Sequence, residues 1–365
     1  MFGDRPITPT QALGASSFEK LANLDLLIDP LRLLTQDVEH VEIDSQPIPP
    51  AQAFALMEAA GENPQESWSC CGLASGKWLC IDRVTKNISK VDVAAVVLPQ
   101  LHTQLISWWL MHAWRFVELG TACSHSLKSW NINVASILAR SIIEEVGCLF
   151  DEAKEIAEKW SDFKQRHADA TEIRNSLAQQ LASYKSAHRG LDVLKTSEAK
   201  NVMTYVDKLE KGSGLDGLRS HYYTWLSNGA HPAVGSRVAY LGPILTNPNE
   251  VVRFLRNSRG PRGVGDPTDG SGMGYAIAQL AADALIDVGE VGCALLWQSL
   301  RLVDDFGLTT KAYRFTDYLY WRKLRHLSSE RNCPCGCGKW TSNQHSWRKP
   351  APAISAVPGN RGIVE

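Results

Sequence analysis

Residues 131–160 read NINVASILARSIIEEVGCLFDEAKEIAEKW, and their pattern decides the fold. Val134, Leu138, Ile142, Leu149, Ala153, Ile156 and Trp160 recur at the 3.6-residue period of an amphipathic helix. The same signature extends outward in both directions. Upstream, the pattern is helical from Val91 onward; downstream, a further helix is expected over Asp162–Leu194. A third covers Leu215–Asn228, turning Leu218, Tyr222, Trp225 and Leu226 inward, with Gly229 as its stop. A last long helix carries Ile277, Ala281, Leu285, Val288, Leu295 and Val303. Near the N-terminus, Ser16–Gln36 places Phe18, Leu21, Leu24, Leu27 and Leu31 on one helical face.

The β signal is confined to WSCCGLASGKWLCIDRV, residues 68–84, where a glycine-containing turn separates two short strand-like pieces. The expected fold is therefore mainly α: a helical bundle over 91–310, a small N-terminal α+β lobe over 1–90, a basic aromatic segment over 311–349, and a disordered tail over 350–365. The segment GDPTDGSGMG, residues 265–274, reads as a linker, because no strand precedes it and it lacks the lysine of a phosphate loop.

Composition narrows the classes. Hydrophobic residues are 44% and charged residues 21% of the chain, and the formal net charge is -1, which gives no whole-molecule attraction to polyanions. The start of the chain has no basic run followed by an apolar one, so a cytoplasmic protein is expected. The longest apolar stretch, residues 91–119, is broken by Pro99, His102, Gln104, His112 and Arg115 and reads as a buried helix, not a membrane span.

Near the C-terminus, RNCPCGCGKW (331–340) sets Cys333, Cys335 and Cys337 at alternate positions. Thiolates crowded this tightly repel one another unless a cation neutralises them, and tetrahedral zinc does so with Cys and His ligands. The stretch resembles the SEC-C motif, the short zinc tail of the bacterial preprotein translocase motor, through Cys333, Pro334, Cys335, Gly336, Gly338 and Lys339. The last two ligand positions of that motif fall on Gln344 and His345, so one ligand is missing; Cys337 stands in for it, which gives a Cys333, Cys335, Cys337, His345 zinc set. The other reading is a disordered tail with reactive thiols. Cys70, Cys71 and Cys80 lack a fourth ligand nearby and read as packing residues or as part of a second metal site.

The same tail is basic and aromatic. Arg322, Lys323, Arg325, Lys339 and Trp340, with Tyr318, Tyr320, Trp321 and Trp347 among them, suit a nucleic-acid backbone and bases or an acidic protein surface. They equally suit a solvated helix face whose rings pack on the bundle.

Two further stretches, ILARSIIEE (137–145) and HYYTWLSNGAHP (221–232), resemble the paired signatures of a bacterial family of HEPN-like helical proteins. The resemblance spans about Val91 to Pro232 and implies a helical bundle of a kind found in RNA-cleaving toxins and defence proteins. It assigns Arg140 and Glu144 to the first signature and Tyr222, Ser227 and His231 to the second. In that reading Arg140 bears phosphate charge, His231 transfers a proton and Glu144 orients His231, as in a metal-independent endoribonuclease. The departure is that the nearest preceding arginine, Arg219, lies twelve positions before His231. The same set also reads as a polar network that fixes helix packing, in a protein whose zinc tail docks as an adaptor on a protein or ribonucleoprotein. A homodimer is in keeping with such bundles. A metal hydrolase finds little support, since no open-site cluster of His and carboxylates is visible along the chain.

Overall fold

The structure, a computed structural model, describes residues 4–6, 8–39, 46–48, 69–72, 78–81, 90–186, 200–230, 236–237, 262–264 and 273–312. It is mainly helical. In chain order the helices are α1 (Pro9–Leu13), α2 (Ala15–Thr35), α3 (Lys90–Lys128), α4 (Ile132–Arg166), α5 (Ala170–Ser186), α6 (Val202–Ser213), α7 (Thr224–Ala230) and α8 (Met273–Thr309). A π-helical turn, Leu218–Tyr223, runs directly into α7.

The three longest helices, α3, α4 and α8, pack on one another and make the body of the bundle. Their shared core contains Trp108, Trp109 and Phe116 from α3, Ile142, Val146 and Leu149 from α4, and Leu285, Val288 and Phe306 from α8. Helix α2 lies against α3 and α8 and adds Leu21, Leu24 and Leu31 to the same core, so the bundle includes residues well before Val91. Close helix contact needs small residues. At Gly292 of α8 a Cβ would sit 2.4 Å from Phe116 Cε2 and 2.8 Å from Val146 Cγ2, so only glycine lets the three helices meet there.

Several local expectations are corrected. Val134 is exposed and Leu138 only partly buried, because steps of four residues advance about 40° each and carry Val134 some 80° from Ile142. Ile132, Ala135 and Ala139 take the inward places instead. Likewise Leu27 is exposed, and Ile28 and Leu34 are buried. The expected helix over 162–194 is two helices: α4 ends where His167 adopts a left-handed conformation (φ 53°), and α5 starts after the Asp169 side chain accepts from Glu172 N–H at 2.9 Å. Around 218–223 the extra residue of the π turn, marked by Thr224 N–H donating to the Arg219 carbonyl, advances the helix phase. Tyr223 is thereby buried and Trp225 left exposed. Gly229 is buried inside α7 and does not end it.

Two small antiparallel sheets accompany the bundle. Ser69–Gly72 pairs with Trp78–Ile81, which also pairs with Gln46–Ile48, and Asp4–Pro6 pairs with Arg262–Val264. The first pairing lies where a hairpin is expected and sets Cys70 opposite Cys80 along the backbone. No helix among the described residues is long and apolar enough to cross a membrane.

Candidate functional site

Helix α4 carries two polar groups on different faces. The first is the pair read from sequence. Arg140 Nε donates to Glu144 Oε1 at 3.0 Å, as residues four apart on a helix allow. Each side chain is 25% exposed. The tyrosine that joins them is Tyr223, not Tyr222: its hydroxyl donates to Glu144 Oε1 at 2.8 Å and accepts from Arg140 Nη2 at 3.2 Å. The Arg140 guanidinium also lies 5.3 Å from the Tyr223 ring centroid. Tyr222 instead donates to Asp287 Oδ2 on α8 at 2.8 Å. The π turn explains the exchange, since it rotates Tyr223 toward α4.

Helix α7 is held to α4 beside this group. A Cβ at Gly229 would lie 3.2 Å from Ser136 Oγ, so α7 crosses α4 about one turn before Arg140. Ser227 is partly buried, and its Oγ makes no hydrogen bond to a described residue. Among the described residues both bonds to Glu144 fall on Oε1, and Arg140 uses two of its five N–H donors. His231, Arg322, Lys323, Arg325, Cys333, Cys335, Cys337, Lys339, Trp340 and His345 lie outside the described residues.

The second group was missed by the sequence reading: it is a buried cluster of His and carboxylates. His112 of α3 sits between two carboxylates of α4, with Nδ1 2.6 Å from Glu145 Oε1 and Nε2 3.0 Å from Glu152 Oε2. Ionised carboxylates only accept, so both ring nitrogens donate and the imidazole is cationic. Burial pulls the pKa of His112 down, but the bonds and charges of Glu145 and Glu152 outweigh it and push it up to about 10. The His112 side chain is only 11% exposed.

Neighbours hold both carboxylates. Trp108 Nε1–H donates to Glu152 Oε2 at 2.7 Å, and Arg115 Nε pairs with Glu145 Oε2 at 2.8 Å from a side chain that reaches solvent. Cys148 Sγ donates to Glu152 Oε1 at 3.1 Å, and Tyr205 of α6 packs against the adjoining Gly147. Burial, reinforced by Glu152, pushes the Cys148 thiol well above its ordinary range. Tyr205 comes this close because Gly147 faces it: a Cβ there would be 3.1 Å from the Tyr205 backbone carbon and oxygen. His112, Cys148 and Glu152 offer ligand atoms within 4.8 Å of one another and could hold a metal ion.

A signal for this group was present. Glu145, Cys148 and Glu152 are spaced three and four apart, which is one face of α4, and Trp108, His112 and Arg115 have the same spacing on α3. What sequence alone did not supply is that these two faces meet. A third network, where α5 and α6 pack against α4, links Asp151 to Lys200 and Lys208, and Glu155 to Gln180, Tyr184 and Lys200.

The fold and its sites define a helical bundle with one part-exposed Arg–Glu–Tyr group and one buried His–carboxylate–thiol group. Compared with family models, curated proteins and solved structures, the chain finds no match.

Proposed function

We propose that this protein is a cytoplasmic RNA-binding protein that cleaves RNA without a metal at the Arg140 group, in a bacterial stress or defence role. The observation that carries the reading is the Arg140–Glu144–Tyr223 group itself. It is part-exposed, it retains guanidinium donors, and it stands beside the helix whose next residue in sequence is His231. In this reading Arg140 and the Tyr223 hydroxyl bind a phosphate, His231 moves a proton to or from the scissile group, and Glu144 orients His231 through Oε2. The tail beyond Lys311 adds cations and aromatic rings that track the RNA strand, folded about zinc by Cys333, Cys335, Cys337 and His345.

The test is incubation of the purified full chain with RNA beside Arg140→Ala and His231→Ala. Cleavage that both substitutions abolish, with far-UV circular dichroism unchanged, is the expected outcome. Cleavage that persists in both, or none by the wild type, removes the enzyme. In the latter case a chain truncated after Lys311 decides between RNA binding through the tail and a polar network with no RNA role.

A further inference from the structure

We propose that the space between α3, α4 and α6 is a zinc site whose ligands are His112 Nε2, Cys148 Sγ and a Glu152 carboxylate oxygen. This site is independent of the RNA reading and of the C-terminal cysteines.

The donor set argues for zinc. Imidazole, thiolate and carboxylate together suit zinc, whereas calcium and magnesium take oxygen alone. The three ligand atoms lie within 4.8 Å of one another, on helices that the bundle already fixes. The surroundings match those of a metal-bound histidine. His112 turns Nε2 toward the ligand set, 3.0 Å from Glu152, while Nδ1–H donates to a second carboxylate, Glu145, at 2.6 Å. Such a carboxylate fixes the ring and raises its basicity. Glu145 is anchored by Arg115, and Glu152 by Trp108, so neither orientation depends on the ion. The remaining position of a tetrahedral ion is left to an oxygen donor such as water.

Zinc binding breaks the His112 Nε2–H and Cys148 S–H bonds, forms Zn–N, Zn–S and Zn–O bonds, and releases the two protons to solvent.

The experiment uses the full chain carrying Cys333→Ser, Cys335→Ser and Cys337→Ser, so that tail zinc cannot contribute. After zinc loading and gel filtration, elemental analysis is expected to find about one zinc per chain, and loading to release about two protons per ion. Cobalt in place of zinc is expected to show a thiolate charge-transfer band, lost in Cys148→Ser and His112→Gln. Should those variants unfold, alkylation of the unsubstituted Cys148 by iodoacetamide, read by mass spectrometry, serves instead. Zinc is expected to slow it at least tenfold while leaving Cys123 and Cys293 unaffected. No retained metal, a cobalt band that survives Cys148→Ser, or an unchanged alkylation rate would each overturn the proposal.

Discussion

Replacing Glu152 with alanine should be among the most damaging single changes in the bundle, and its cost can be worked from the contacts. The Glu152 carboxylate accepts from Trp108 Nε1–H at 2.7 Å, His112 Nε2–H at 3.0 Å and Cys148 S–H at 3.1 Å, with its side chain 5% exposed. Removing one partner of a buried ion pair costs ~3–5 kcal/mol, because the other charge stays behind. His112 keeps Glu145, which argues for the lower end of that range. The indole N–H, fully enclosed, loses its acceptor and adds ~1–3 kcal/mol. A loss of about 4 kcal/mol follows, a large share of a domain stability of ~5–15 kcal/mol. The assay is urea unfolding at pH 7 in the presence of a chelator, so that no metal contributes. Glu144→Ala is the control: its side chain is a quarter exposed and its loss should cost ~1 kcal/mol or less. In a double-mutant cycle, His112→Ala and Glu152→Ala should together cost ~1–3 kcal/mol less than their sum. A Glu152→Ala loss no greater than that of Glu144→Ala would refute the reasoning.

Two other perturbations follow from the same packing. Gly147→Ala puts a Cβ 3.1 Å from the Tyr205 backbone, which cannot rotate away, so α6 must shift; a loss of ~1–3 kcal/mol in urea unfolding is expected, and an unchanged midpoint would contradict the close approach. His102 is fully enclosed, and burial lowers its pKa from 6.5 to about 4, so it stays neutral when folded. Because the folded value lies below the unfolded one, its share of stability is complete above pH 6.5 and is lost as pH falls from there through 4, reaching ~3 kcal/mol. His102→Leu should flatten the stability profile over that interval, and a profile as steep as the wild type's would show that other groups set it.

The helical class and the Arg140–Glu144 pair were legible because both depend on local periodicity, and residues four apart meet on any helix. That Tyr223, and not the Tyr222 of the second signature, reaches Arg140 and Glu144 has a local reason too. A single π turn moves every later side chain around the axis, and nothing in LRSHYY marks it. The His112 group failed for a different reason. Its members come from two helices, and the stripe Glu145, Cys148, Glu152 looks like a solvated face until α3 is laid across it. His112 and Arg115 read as interruptions of an apolar helix, whereas together with Trp108 they are its contribution to a buried polar centre.

The central functional claim is that the Arg140 group faces an RNA phosphate, and the most direct measurement is fluorescence-anisotropy titration of a single-stranded RNA oligonucleotide at fixed salt with wild type, Arg140→Gln and Tyr223→Phe. A charged hydrogen bond to phosphate is worth ~1.5–3 kcal/mol, so Arg140→Gln should weaken the Kd roughly 10- to 100-fold. Tyr223→Phe, which loses one hydroxyl and leaves the guanidinium in place, should weaken it only several-fold. Equal Kd values for all three proteins, with thermal unfolding midpoints shown to be the same, would contradict the account and leave Arg140, Glu144 and Tyr223 as a brace between α4 and the π turn.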